Sequence, residues 1–186
     1  MTTIINAAGR GIDQRDWTGS TPLAWVAKTG HAGAAKLLLE REDVDPNNLD
    51  KCDRTPLGWA TPFGYEGVVK LLLGRKDVDP NHPDMDGQTP LGWATLFGYE
   101  GVVKMLLERE DVDPNRPDRS GRSPLRIAAI YGHEGVVKLL LGREYVDPNR
   151  PDKGGRTPLE WAAFMGNEGV VKLLLGQEGV HPNKPR

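Results

Sequence analysis

Thr55-Pro56-Leu57-Gly58-Trp59-Ala60 opens a pattern that returns along the chain. Its start recurs as Thr21-Pro22-Leu23, Thr89-Pro90-Leu91, Ser123-Pro124-Leu125 and Thr157-Pro158-Leu159, a step of 34 residues each time. A fixed period of this size marks a stacked-repeat protein. Thr or Ser ahead of an apolar run can cap the free N–H groups of a first helical turn. Pro suits the first helical position, where its missing N–H has no intrahelical partner. Leu57, Trp59 and Ala60 begin an apolar face. Gly30, Gly64, Gly98, Gly132 and Gly166 stand where a short helix would end on a left-handed residue.

The 186 residues therefore read as one elongated domain, in which each unit packs only on its neighbours. Residues 1–20 form a half-unit, and repeats run near 21–54, 55–88, 89–122, 123–156 and 157–186. The net charge of −2 shows no nucleic-acid-like excess of positive charge. It is unevenly spread: residues 1–113 carry 12 Lys+Arg against 18 Asp+Glu, whereas residues 114–186 carry 12 against 8. Cys52 is the only cysteine, which rules out an internal disulfide and a cysteine-based zinc cluster. Met1-Thr2-Thr3-Ile4-Ile5 lacks the apolar core of a signal peptide. No apolar run approaches the roughly 18 residues of a membrane span. These features lead us to expect a cytoplasmic or nuclear protein.

Repeat 1 is more polar than the rest, with Ala34-Ala35 where later units have Val-Val, and reads as a capping unit. Repeats 2 and 3 are identical at 26 of 34 positions. The second helix of each unit, such as Val68-Val69-Lys70-Leu71-Leu72-Leu73, is too apolar for a one-faced surface helix, which implies burial between neighbours. Pro62 and Gly58 break helix rules in repeat 2, so its first helix is expected to be short or distorted. After each second helix comes Asp-Val-Asp-Pro-Asn or a variant, then a Pro-, Asp- and Gly-rich segment that reads as a projecting turn or hairpin.

Thr-Pro-Leu-x-x-Ala, Gly-[His/Tyr/Asn], Val-Val-Lys-Leu-Leu-Leu, Val-x-x-Asn and Asp-x-x-Gly-x-Thr together resemble the ankyrin repeat, over residues 13–183. The resemblance implies an all-α repeat solenoid, elongated and curved, with antiparallel helix pairs joined by β-hairpin or loop fingers. It also implies a non-catalytic protein–protein interaction scaffold. The Asp-Val-Asp-Pro-Asn endings and near-identical neighbours are similar to ankyrin arrays of fungal proteins, including those attached to nucleotide-binding receptors. One departure is the family's usual His after Thr-Pro-Leu, here Ala24, Gly58, Gly92, Arg126 and Glu160. That departure puts the family's hydrogen bonding between units in question.

No catalytic group is expected. His31 and His133, three units apart, should lie roughly 30 Å from each other in a stack of elements. The ladder Asp45, Asp79, Asp113 and Asp147 offers one carboxylate per unit. That spacing suits local capping rather than calcium, whose ligands crowd within about 2.4 Å of the ion. Asp50, Asp84, Asp118 and Asp152 read as turn formers. No metal or cofactor is expected. Trp25, Trp59, Trp93 and Trp161, with Ile127 interrupting, read as core packing. Trp17 lies outside that ladder and is a candidate exposed contact.

Two surfaces are candidates for binding a partner. The groove candidates are Phe63, Leu96, Phe97, Ile130, Tyr131, Phe164 and Met165, at the ends of the first helices, together with Arg126. Leu96 and Ile130 are expected to be exposed; Phe63, Phe97 and Tyr131 can either face out or turn inward as packing. A row of exposed apolar side chains marks an interaction site. The finger candidates are Trp17, Arg116, Arg119, Arg150 and Lys153, a basic row that would select an acidic protein or peptide, read against a merely solvated face. A rival reading is end-to-end self-association through the uncovered helix of the C-terminal repeat, residues 170–175. Nucleic acid is disfavoured, since no stacking aromatics alternate with the finger arginines.

Overall fold

Each of the five Thr-Pro or Ser-Pro starts is a working helix cap. The hydroxyl oxygen accepts the N–H three residues on: Thr21 from Ala24, Thr55 from Gly58, Thr89 from Gly92, Ser123 from Arg126 and Thr157 from Glu160, at 3.0–3.4 Å. Glu160 returns the bond to the Thr157 N–H at 2.7 Å, completing a capping box. The computed structural model describes residues 11–180. The first half of the N-terminal half-unit, residues 1–10, and the end of repeat 5, residues 181–186, lie outside them.

Unit 1 comprises α1 (Pro22–Thr29) and α2 (Ala32–Leu39). Unit 2 comprises α3 (Pro56–Ala60), a 3-10 turn over Thr61–Phe63, and α4 (Glu66–Leu73). Unit 3 follows with α5 (Pro90–Leu96) and α6 (Glu100–Leu107), unit 4 with α7 (Pro124–Tyr131) and α8 (Glu134–Leu141), and unit 5 with α9 (Pro158–Met165) and α10 (Glu168–Leu175). First helices stack on first helices and second on second, which makes an all-helical solenoid. No strand forms among the described residues, so the fingers are turns rather than paired strands.

The expected break in repeat 2 is present. Pro62 has no N–H to continue the ladder, and the α-helix gives way to the 3-10 turn at Thr61. Gly58 is a separate weakness. A Cβ added there would meet only the Thr55 hydroxyl at 3.4 Å and the Arg54 Cβ at 3.9 Å, which is ordinary contact. Gly58→Ala should therefore stabilise the chain by about 0.5–1 kcal/mol in urea melts. Gly92→Ala, at the same place in unit 3, should gain less, because the Gln88 amide lies 2.6 Å from the new Cβ and must move.

The core is a column rather than a centre. Leu57, Leu91 and Leu125 from first helices, Leu72, Leu106 and Leu140 from second helices, and Val44, Val78 and Val112 from the turns are all buried in it. Asparagines join the units. Asn47 donates to the Asp77 carbonyl and accepts from the Asp79 N–H, and Asn81 repeats this on Asp111 and Asp113. Asn115 and Asn149 donate to the carbonyls of Tyr145 and Gly179. Arg75 and Arg109 reach back to carbonyls of the preceding unit, Arg41 O at 3.3 Å and Arg75 O at 3.0 Å. These bonds connect the units without a His after Thr-Pro-Leu.

Candidate protein-binding face

Phe63, Phe97 and Tyr131 share one position in successive units, and each exposes about half its surface, 46–52%. Their rings lie 5.5–6.1 Å from those of Tyr65, Tyr99 and His133, the residues just past the glycine turn; Phe63 and Tyr131 stack, and Phe97 is tilted by 30°. Phe164 and Met165 extend the exposed row into unit 5. Leu96 and Ile130 are half-buried, contrary to the expectation that they face solvent. Phe97 lies past the last turn of α5: it is the capping residue, at φ −94° and ψ 0°, and its ring leaves the helix toward Trp93 and Tyr99.

The tryptophans are not fully buried in the core, although Trp59 packs against it. Trp25 is exposed, Trp59, Trp93 and Trp161 are half-buried, and only Ile127 at that position is fully buried. An indole N–H needs a partner, which an apolar interior lacks. Here Trp25, Trp59, Trp93 and Trp161 donate to Asp16, Asp50, Asp84 and Asp152, each nine residues upstream, at 2.7–2.9 Å. The other carboxylate oxygen accepts finger N–H groups; that of Asp50, for example, takes those of Cys52 and Arg54. The turn role read for these aspartates is thus present, together with a second bond. A repeated Asp-x8-Trp spacing carried that signal in the sequence. Where Ile127 has no N–H to offer, Asp118 takes the Arg122 Nε at 2.6 Å instead.

Cations lie between these rings. The Lys28 ammonium sits 4.2 Å from the Trp59 centroid and 5.2 Å from Trp25; the Arg54 guanidinium sits 4.5 Å from Trp59 and 5.2 Å from Trp93. Arg54 also pairs with Asp84 of the next unit at 3.2 Å. Arg126 does the same two junctions later, pairing with Asp152 at 3.1 Å over the Trp161 ring. Arg126 was expected in the groove as a partner contact. It is instead a largely buried tie between units 4 and 5, because Asp152 outcompetes water for its guanidinium.

The same bonds perturb two carboxyls. Asp16 is held down to about 2, chiefly by the Thr18 hydroxyl; partial burial opposes this, and the Trp25 indole and the N–H groups of Ser20 and Thr18 add to it. Burial pushes Asp152 up but is outweighed by the Arg156 N–H, the Trp161 indole, the Gly154 N–H and the Arg126 charge, so it too lies below the usual carboxylate range. A folded-state value below the unfolded one means that the unfolded chain binds more protons in between. The stability these groups add is complete above about pH 4 and drains as pH falls toward 2. Urea melts across this range should slope less steeply for Asp16→Asn than for the parent.

In the fingers, Arg116, Arg119, Arg150, Lys153 and Trp17 are all exposed, Trp17 at 83%. Arg116, Arg150 and Lys153 each donate to a carbonyl of the preceding unit, and none of the four cations has a carboxylate partner among the described residues. Asp45, Asp79, Asp113 and Asp147 each accept the N–H two residues on, the capping role read for them. The described histidines stay in separate units: His31 beside Thr29, His82 near Asp79, and His133 with its Nε2 3.1 Å from the Leu96 carbonyl oxygen. Among the described residues no three His, Cys, Asp or Glu side chains gather as a metal site, and no helix is long and apolar enough to cross a membrane.

A family model described as ankyrin repeats (3 copies) matches residues 2–84, 43–118, 76–152 and 110–186 in overlapping windows. A search of curated proteins finds no match. Stacked helix pairs, capped at Thr/Ser-Pro-Leu and closed on a left-handed glycine, carry the family's pattern through windows that together span residues 2–186, and so the chain belongs to the ankyrin-repeat family.

Proposed function

We propose that the chain is a non-catalytic scaffold that binds a protein or peptide partner across the first-helix ends and the fingers. Members of its family generally mediate protein–protein interaction. The observation that carries the finer reading is the repeated half-exposure of Phe63, Phe97 and Tyr131 at one position. Internal packing gives a side chain no reason to stay half in water in three successive units. Aromatic rings and Met are the residue types enriched at interface cores. In the fingers, Arg116, Arg119, Arg150 and Lys153 have no carboxylate partner among the described residues, which favours an acidic partner. Cys52 is an exposed free thiol, which suits a reducing compartment such as cytoplasm or nucleus.

The test is a pull-down from source-cell extract with Phe63→Ser, Phe97→Ser and Tyr131→Ser combined. The combined variant should lose the captured partner while its helical circular dichroism and melting cooperativity stay intact. Undiminished capture by a folded variant would sink the reading. Arg119→Gln with Lys153→Gln should leave capture in place but blunt its sensitivity to salt.

A further inference from the structure

The two ends of the stack expose the residues that every internal junction buries. In unit 1, Pro22, Ala34 and Leu37 stand out from the solenoid, Leu37 at 68% exposure. Their counterparts in units 2–5 are buried at the first two positions and half-buried at the third. These residues mark the leading face. In unit 5 the pattern is opposite. Ala163 and Leu175 are exposed and Val171 is half-buried, whereas Ala27, Thr61, Thr95 and Ala129 are fully buried in place of Ala163, and Ala35, Val69, Val103 and Val137 in place of Val171. These mark the trailing face.

The faces also match in detail. At each internal junction a side chain of the following unit covers the helix-ending glycine of the unit before: Tyr65 over Gly30, Tyr99 over Gly64, His133 over Gly98 and Asn167 over Gly132. Gly166 has no described atom within 4 Å of its Cβ position, and His31, the counterpart of those covering residues, is exposed. A glutamate of the unit before lies on a second-helix glycine of the unit after: Glu66 on Gly101, Glu100 on Gly135, Glu134 on Gly169. Glu168 and Gly33 are the unpaired members of that series, and nothing described lies within 4 Å of Gly33. The fingers repeat the match. The Lys51 N–H donates to the Thr18 carbonyl beside Gly19, and the Arg119 N–H to the Asp86 carbonyl beside Gly87. Trp17 holds this position in the first finger, and no described atom lies within 4 Å of the Gly155 Cβ position in the last.

We propose that the trailing face of one copy docks on the leading face of a second copy, continuing the 34-residue stack across the junction. Shape selects this orientation: only head-to-tail contact sets a trailing face on a leading face as every internal junction does, whereas either symmetric contact sets two like faces together. A head-to-tail contact between identical chains does not close on itself as a two-fold dimer does, so association proceeds past the dimer. This inference is independent of the partner-binding row, whose rings lie at the helix ends and not on the stacking faces.

Analytical ultracentrifugation of the full chain over a concentration series tests it. The weight-average mass should at least double with concentration. Ala163→Arg blocks only the trailing face and Leu37→Arg only the leading face; both sites are exposed, and circular dichroism melts confirm folding. Each variant alone should stay monomeric, and the equimolar mixture should form dimers and nothing larger, because one intact trailing face meets one intact leading face. A parent chain that stays monomeric throughout overturns the proposal. So does either variant associating as the parent does, or a mixture that behaves as its separate components.

Discussion

Asp84→Ala should cost about 3–5 kcal/mol of unfolding free energy, the usual penalty for stranding one member of a buried ion pair. The Asp84 side chain is 3% exposed. One oxygen accepts the N–H groups of Asp86 and Gln88 and so shapes the finger; the other takes the Trp93 indole at 2.9 Å and the Arg54 guanidinium at 3.2 Å. Removing the carboxylate leaves Arg54 held between two rings, its Nε already without a partner, and its charge with no counterion. The damage also spans a junction, since Arg54 belongs to the finger that leads into unit 2 and Asp84 to the finger that leads into unit 3. Asp118→Ala is the internal comparison. Asp118 serves its own finger through Arg122, whose side chain is more than a third exposed and can turn to water. It should cost clearly less. Equal losses in urea melts would show that the tie between units contributes nothing beyond the finger turn.

What could be read in the chain, and what could not, follows from how local each interaction is. The Thr-Pro-Leu caps, the glycine stops and the break at Pro62 depend on bonds spanning three to five residues, and all are present as read. The tryptophans were misread because an apolar pattern scores the ring and ignores its N–H. The aspartates that answer them had been noticed as turn formers, yet the nine-residue spacing links two elements and no helix or strand period contains it. Leu96 was expected to face solvent and is half-buried; α5 is only seven residues long, too short for its apolar pattern to fix which face it buries. Arg126 looked like a free groove cation because Asp152, its partner, lies in the next finger, 26 residues on. The Asn47 and Asn81 ties are of the same kind: the period showed that they recur, and only the stack shows what they reach.

Gly98→Ala should cost about 2–4 kcal/mol, well above the roughly 1–2 kcal/mol of placing a Cβ in left-handed backbone. Gly98 has φ 70°, and an added Cβ would lie 2.7 Å from the His133 Nδ1 of the next unit. That ring is not free to move away, since its Nε2 is bonded to the Leu96 carbonyl at 3.1 Å. Pushing it out loses this bond, worth about 1 kcal/mol, and opens the seam between units 3 and 4. Gly166→Ala supplies the control. Its φ is 74°, but no described atom lies within 4 Å of the new Cβ, so only the backbone term is lost. The difference between the two variants therefore measures the junction alone. In a stack where each unit holds only its neighbours, weakening one seam also weakens the coupling between the segments it joins. The Gly98→Ala melt should broaden or split into two transitions, while Gly166→Ala should shift as a single one. Equal losses with unchanged cooperativity in both would mean that the glycine turns are set by backbone geometry alone, and that the ring of the following unit adds nothing.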